Sequence, residues 1–233
     1  MGRLPRFAPA GLPQHVTQRG NYGQDVFFAD ADRHLYLSLL DRHSAERNIR
    51  VIAYTLMTNH VHLILEPQSD DGLSIMMQCL QSEYARWMHA RRDSLGHLWR
   101  HHYDACVMDE THLGIALAYV EMNPVRAGIT KTAVDYEWSS ARAHTGAAPP
   151  HALLHKKSFT DRFTTTDWAA ILHKKERDQE ELREELAAIR RATRLNQPLA
   201  AADFVERLES KHRRKLNRRP PGRPAKVATI QAA

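Results

Sequence analysis

The apolar run at residues 51–65 constrains the fold of this chain more than any other segment. It is rich in Val, Ile, Leu, Tyr and Thr, which predicts buried β-strand, and strand side chains alternate between the two faces of a sheet. His60 and His62 therefore share one face with Ile64, whereas residues 61, 63 and 65 point to the other. Two imidazoles on one rigid strand can form half of a metal site, although a His-x-His pair alone is a weak signal.

The first half of the chain alternates strand-like and helix-like patterns. Strands are predicted at 15–19, 50–58, 60–66 and 103–108, and helices at 32–47, 73–89 and 111–122. Asp30 or Asp32 can cap the first helix. The junction at Thr58-Asn59 is either a tight turn or a bulge. The order of these segments predicts an α+β fold of the ferredoxin-like, split-βαβ type, with an antiparallel sheet and flanking helices.

Composition divides the 233 residues into three parts. We expect a folded domain at 1–148, a helical extension at 149–210 that includes a charged helix at 174–194 and a short helix at 204–216, and a basic, disordered tail at 211–233. Residues 211–226 hold eight Lys or Arg and no acid, so the rest of a chain of net charge +6 carries −2. A positive arm on a near-neutral body favours nucleic acid or an anionic surface as partner. A solvated terminus explains the same composition equally well.

Composition also argues against several classes of protein. No apolar stretch is long enough to span a bilayer, and the first residues lack the apolar segment of a signal peptide. Cys79 and Cys106 are too few and too poorly spaced for a disulfide framework or a zinc knuckle. We therefore expect a cytoplasmic protein without a membrane partner.

Tyr119 and Asn123 are four residues apart, so both side chains face the same way on the predicted helix. If this helix packs beside His60 and His62, two imidazoles and an amide oxygen can hold a divalent cation and leave positions open for a phosphate oxygen. Such a ligand set suits Mg²⁺ or Mn²⁺. The phenol could then attack a DNA phosphodiester to give a 5′-phosphotyrosine and a free 3′-OH. Alternatively, Tyr119 is an ordinary core-edge tyrosine and Asn123 a helix stop before Pro124.

Four segments resemble one family. The strand at 53–63, AYTLMTNHVHL, resembles the HUH strand of single-tyrosine (Y1) transposases of the IS200 type. The segment at 119–128, YVEMNPVRAG, resembles the tyrosine helix of their domesticated branch, the REP-associated tyrosine transposases. HVTQRGN at 15–21 and YEWSS at 136–140 match the same branch. The four segments span about residues 10–145 in the family's order.

The resemblance implies a function. Residues 1–148 would form a Y1-transposase-like HUH nuclease domain, with Tyr119 as the nucleophile, His60 and His62 as metal ligands, and Asn123 at the position of the third ligand. The implied cofactor is Mg²⁺ or Mn²⁺, and no nucleotide cofactor is expected. The implied substrate is single-stranded DNA folded into a hairpin from a repetitive extragenic palindrome. We expect a monomer or homodimer associated with the nucleoid.

Basic residues are candidates for contacts with DNA. Arg19 ends a strand before the Gly20-Asn21 turn, and Arg126 belongs to the tyrosine segment. In the tail, residues 220–224 (PPGRP) resemble an AT-hook core, whose arginine enters a narrow minor groove. The DNA-binding candidates in the tail are Lys211, Arg213, Arg214, Arg218, Arg219 and Arg223.

Two other functions compete with the nuclease. One is a non-catalytic protein, derived from a transposase, that still binds palindromic DNA. The other is a zinc hydrolase that uses His60, His62 and a distant third ligand, but the sequence holds no His-Glu-x-x-His or Cys-x-x-Cys companion.

Overall fold

The computed structural model describes residues 6–93, 95–177 and 183–216. Four strands, β1 (Gln14–Arg19), β2 (Ile49–Met57), β3 (His60–Pro67) and β4 (Asp104–Val107), form one antiparallel sheet in the order β2-β3-β1-β4. Helix α1 (Asp30–Glu46) connects β1 to β2, and α2 (Gly72–Arg92) connects β3 to β4. The two βαβ units interleave, because β3 lies between β1 and β2. The predicted ferredoxin-like α+β fold is confirmed.

The two faces of the sheet carry different cores. Val61, Leu63 and Leu65 of β3 belong to the cluster that contains the buried side chains of α1 and α2. Ile64 instead belongs to the cluster of the opposite face, with α3 (Glu110–Glu121). The alternation predicted for β3 is therefore correct, and the face of Ile64 also carries His60 and His62.

The register of the β2–β3 hairpin fixes the position of the two histidines along the strand. Met57 lies opposite His60 and Thr55 opposite His62, so the strands are joined by the two-residue turn Thr58-Asn59. The junction is thus a tight turn, and the irregularity of the pair lies elsewhere, between Val51 and Ala53. This register places both histidines near the hairpin end of the sheet.

Helix α1 begins slightly earlier than predicted. Neither Asp30 nor Asp32 is its N-cap, which is Ala29. Asp32 lies at the third helical position, and its carboxylate accepts hydrogen bonds from the backbone N–H of Phe28 and Ala29 at 2.7 and 2.8 Å. The carboxylate therefore closes the start of the helix from inside, as the glutamate of a capping box does.

Within the described residues, six further helices follow α3. They are α4 (Asn123–Arg126), α5 (Ala141–His144), α6 (Lys156–Thr160), α7 (Thr165–Arg177), α8 (Arg183–Leu195) and α9 (Ala202–His212). The charged helix predicted at 174–194 corresponds to the end of α7 and to α8, and Leu182 lies outside the described residues. The buried face of α8, with Leu186, Ile189 and Ala192, shares the core of α3 and Ile64. Sheet, α3 and α8 therefore enclose a common space.

None of the helices in the described ranges is long and apolar enough to cross a membrane.

Candidate active site

A cavity of about 430 Å³ opens where β1, β3, α3 and α8 meet. Five residues predicted from the sequence line it: Arg19, His60, His62, Tyr119 and Asn123. It is also lined by residues that sequence reasoning did not assign, among them His15, Thr17, Arg100, Arg190, Thr193 and Arg194. The fold thus gathers residues from widely separated parts of the chain at one site.

Tyr119 occupies the last turn of α3 and lies beside the histidines. Its ring centroid is 5.4 Å from that of His62 and 5.4 Å from that of His15, and both contacts are edge-on. A hydrogen bond of 2.9 Å from the Thr55 hydroxyl to the Val120 carbonyl ties this turn to β2. Tyr119 is only 6% exposed, yet it faces the cavity. The packing on which the sequence-based metal-site hypothesis depends is therefore present.

In each of the two paired histidines, one ring nitrogen is hydrogen-bonded and the other is available to a metal. His60 Nδ1 lies 2.6 Å from Asn59 Oδ1, and His62 Nδ1 lies 3.0 Å from His15 Nε2. The Asn59 amide nitrogen donates to the Gly23 carbonyl, so its oxygen faces His60 as an acceptor and His60 Nδ1 carries the proton. The Nε2 atom of His60 then keeps its lone pair. The two imidazole rings are 4.9 Å apart, so they can serve one ion.

Burial keeps these imidazoles neutral. Desolvation, helped by the charge of Arg19, lowers the pKa of His60 to about 4. Desolvation, together with the neighbouring His60, His15 and Arg126, places the pKa of His62 well below its ordinary value. A neutral imidazole is the form that binds a metal. The lone pairs are therefore available at neutral pH without displacing a proton.

Asn123 begins α4, directly after the tyrosine helix. Its Nδ2 donates to the backbone carbonyls of Tyr119 at 3.0 Å and Val120 at 3.3 Å. These bonds occupy both amide hydrogens and satisfy carbonyls that the end of α3 leaves open. Because the side chain also lines the cavity, its Oδ1 is left as a fixed acceptor there. The helix stop and the metal ligand predicted for Asn123 are thus compatible roles.

The described residues do not form a closed set of metal ligands at this site. In the part of the chain that the structure describes, no three His, Cys, Asp or Glu residues are grouped to hold a metal. A cation at His60 and His62 would therefore need the amide oxygen of Asn123 and oxygens from substrate or solvent. Such a mixed and open set differs from that of a closed structural zinc site. The zinc-hydrolase alternative lacks its third ligand among these residues.

Arg126 lies behind the tyrosine. Its Nη2 donates to the Tyr119 carbonyl at 2.7 Å, and its Cζ is 4.4 Å from the centroid of the Tyr119 ring. Burial lowers the pKa of the guanidinium to about 10, so it stays charged at neutral pH. The DNA contact predicted for Arg126 stays a prediction. The geometry adds a second possible role, that of holding the ring.

The other basic candidates fall into three groups. Arg19 lines the cavity opposite His60. Lys211 and Arg213 are exposed at the end of α9, whereas the Arg214 guanidinium packs over the Phe7 ring, with Cζ 5.4 Å from its centroid. Arg218, Arg219 and Arg223 lie outside the described residues.

Sequence reasoning missed the contribution of α8. Arg190 and Arg194 are exposed on this helix and line the cavity, and Thr193 beside them is buried. The only sequence signal is that Thr193 continues the helical spacing of Leu186 and Ile189, so a polar residue stands on the buried face. His15 offered a similar signal, since it alternates with Thr17 and Arg19 on one face of β1.

The fold and the site together define a class: a ferredoxin-like domain in which a tyrosine from a helix lies beside a His-x-His pair on the sheet. Residues 10–123 match the family model described as transposase, IS200-like. The chain belongs to this IS200-like (Y1) transposase family.

Three solved structures are similar to this chain to different extents. A REP-associated tyrosine transposase bound to a REP hairpin is 16% identical, with a TM-score of 0.55 over 66% of this chain and 90% of that chain. A candidate transposase from Deinococcus radiodurans is 20% identical, with a TM-score of 0.36 over 52% and 95% of the two chains. A bacterial tRNA(His) guanylyltransferase-like protein in complex with GTP is 13% identical, with a TM-score of 0.38 over 55% and 67%. No curated protein sequence matches the chain significantly.

Proposed function

We propose that this protein is a metal-dependent, single-strand-specific DNA endonuclease and strand transferase that acts on hairpin DNA of the REP type. The observation that carries the proposal is the position of Tyr119, whose ring lies 5.4 Å from that of His62 in a cavity that His60 and Asn123 also line. Membership of the IS200-like family supports it. The REP hairpin bound to a transposase of the same fold suggests the form of the substrate.

The reaction requires a nucleophile, a charge-stabilising centre and a binding surface for phosphates. A Mg²⁺ or Mn²⁺ ion held by His60, His62 and Asn123 would polarise the scissile phosphodiester and stabilise the charge that develops on it. Arg19, Arg190 and Arg194, which line the same cavity, would bind the flanking phosphates.

Tyr119 would cut and rejoin the strand. Its hydroxyl oxygen attacks the phosphorus while the bond from phosphorus to the 3′ oxygen breaks, and the phenol proton leaves as the 3′-OH forms. The 5′ phosphate remains on the tyrosine, so the energy of the broken bond is conserved. Attack by a 3′-OH on this phosphotyrosine then rejoins two ends without ATP.

The direct test is capture of the covalent intermediate. Wild-type protein incubated with hairpin-bearing single-stranded DNA and Mn²⁺ should form a DNA adduct on the peptide that contains Tyr119. Tyr119→Phe should form none. Tyr22→Phe is the matched control, because Tyr22 is 99% exposed and does not line the cavity, and its adduct should equal that of the wild type.

Two results would redirect the proposal. An equal adduct on the same peptide from Tyr119→Phe would remove Tyr119 as the nucleophile. Hairpin binding that survives EDTA, with no cleavage of any hairpin by the wild type, would favour the alternative of a non-catalytic protein that binds palindromes.

A further inference from the structure

A line of three hydrogen bonds connects His62 to helix α8. His62 Nδ1 lies 3.0 Å from His15 Nε2, and His15 Nδ1 lies 2.8 Å from the Thr193 hydroxyl. The Thr193 hydroxyl in turn donates to the Ile189 carbonyl at 2.8 Å. His15 and Thr193 are 1% and 2% exposed, so water does not compete for these bonds. Thr193 lies outside the segment at 10–123 that matches the family.

The sheet register brings the two imidazoles together. His62 of β3 lies opposite Thr17 of β1, and His15 is two residues from Thr17, on the same face. This diagonal relationship lets long side chains on neighbouring strands meet. The two rings lie nearly parallel, with an interplanar angle of 6° and centroids 5.2 Å apart.

The order of donors and acceptors along this line is fixed at its far end. A carbonyl only accepts, so the single hydroxyl proton of Thr193 points to Ile189. The Thr193 oxygen must then accept from His15 Nδ1, and a neutral His15 has no second N–H. His15 Nε2 is therefore an acceptor, and His62 Nδ1 carries the proton that it receives.

The contact of Cys106 with Thr193 is consistent with this direction of hydrogen-bond donation. Its Sγ lies 3.2 Å from the Thr193 hydroxyl oxygen. That oxygen has a second lone pair, which can accept from the thiol while the first accepts from His15. The thiol stays protonated, because burial raises the pKa of Cys106 to about 12.

The consequence falls on the other nitrogen of His62. With the proton on Nδ1, the lone pair of His62 is on Nε2, as it is in His60. The reverse direction would place a proton on Nε2 of His62 while Nδ1 faced His15, so neither nitrogen could bind a metal. Partners of this kind fix the tautomer and ring orientation of metal-binding histidines in general.

We propose that His15 and Thr193 are positioning residues that hold His62 as its Nδ1–H tautomer, so that α8 completes the metal site on β3. The inference depends on the proposed function in one respect, which is that His62 is a metal ligand. It adds that α8, which lies outside the family match at residues 10–123, keeps Nε2 of His62 unprotonated and able to bind the metal.

The experiment compares Thr193→Val with Thr193→Ser. Valine keeps nearly the same shape without the hydroxyl, and serine keeps the hydroxyl. Long-range ¹H–¹⁵N spectra of metal-free, histidine-labelled protein report the tautomer of His62. We expect Nδ1–H in the wild type and in Thr193→Ser, and a mixture of tautomers in Thr193→Val. The affinity for Mn²⁺ is measured from the electron paramagnetic resonance signal of the free ion. Thr193→Val should bind Mn²⁺ about 10- to 100-fold more weakly than the wild type, whereas Thr193→Ser should bind it as tightly as the wild type.

A second variant covers the case in which Thr193→Val does not fold. His15→Met removes the acceptor directly and should produce the same two changes. The inference is overturned if the folded variants keep the wild-type tautomer of His62 or the wild-type affinity for Mn²⁺. These measurements use metal-free protein or Mn²⁺ alone, so their outcome is separate from whether Tyr119 forms a DNA adduct.

Discussion

The guanidinium of Arg126 lies against the ring of Tyr119, with its Cζ 4.4 Å from the ring centroid, and it also holds the tyrosine's own carbonyl at 2.7 Å. One side chain therefore contacts both the backbone and the ring of the proposed nucleophile. Its Nε is buried and has no hydrogen-bond partner among the described residues. A buried cation in this position can fix the orientation of the ring.

Arg126→Gln distinguishes this positioning role from a contact with DNA. We expect kcat for cleavage to fall about 10- to 100-fold, since a desolvated cation–π contact and a charge-assisted hydrogen bond are lost. KM for the hairpin and the affinity for Mn²⁺ should stay close to wild type. Arg92→Gln, at an exposed site on α2, is the control. A raised KM with unchanged kcat would instead support the DNA contact predicted from the sequence.

Arg190 and Arg194 should contribute to DNA affinity through charge. For single-stranded DNA, each neutralised phosphate contributes about 0.7 to the slope of log K against log salt. The double variant Arg190→Gln/Arg194→Gln should therefore bind hairpin DNA more weakly, with a slope shallower by up to about 1.4. Lys174→Gln/Arg207→Gln removes the same charge at exposed sites that do not line the cavity. Equal salt slopes for the two double variants would exclude the α8 arginines from binding.

Stability should decline in mild acid. Burial lowers the pKa of His15 to about 3, below the ordinary value near 6.5, so the unfolded chain takes up this proton first. The contribution of neutral His15 to the free energy of unfolding is fully present above pH 6.5, and it is lost as the pH falls toward 3. One such histidine costs about 1.4 kcal/mol per pH unit in this window.

Urea unfolding in EDTA measures this effect. The free energy of unfolding should be clearly lower at pH 5.5 than at pH 7.5, and His60 and His62 act with the same sign. His15→Gln should show a shallower dependence on pH. A free energy of unfolding that is constant or higher at pH 5.5 would contradict the neutral, buried state of these imidazoles.

Glu121 joins α3 to the helices that follow it. The carboxylate is fully buried and accepts from the Ser140 hydroxyl at 2.5 Å, His144 Nδ1 at 2.6 Å and the Trp168 indole at 2.7 Å. Glu121→Ala leaves three buried donors without an acceptor and should cost about 3–5 kcal/mol of unfolding free energy. Glu121→Gln keeps the shape and one acceptor oxygen, so it should cost less. Urea unfolding that shows a loss below about 1 kcal/mol for Glu121→Ala would contradict this role.

The parts of the site that the sequence predicts are local. The two-residue period of a strand places His60 and His62 on one face whatever the rest of the fold does. The helical period likewise relates Tyr119 to Asn123 across one turn. The start of α1 was less predictable, because an aspartate can close a helix either as the N-cap or, like Asp32, from the third position.

The contribution of α8 could not be predicted. Its stripe of Leu186 and Ile189 shows that one face is buried, but no local pattern states which element covers that face. Docking beside β4 brings Thr193 to His15, which lies 178 positions away in the sequence. Hydrogen bonds over such separations depend on the assembled fold, so the contact between His15 and Thr193 became visible only in the structure.

The most direct test of the account locates the metal. Anomalous diffraction at the manganese edge, from crystals of the protein with Mn²⁺, should show an ion bound by Nε2 of His60, Nε2 of His62 and Oδ1 of Asn123, beside the hydroxyl of Tyr119. Manganese bound away from the histidine pair, or coordinated there without a place for the Tyr119 hydroxyl nearby, would contradict the claim that these residues form one catalytic centre.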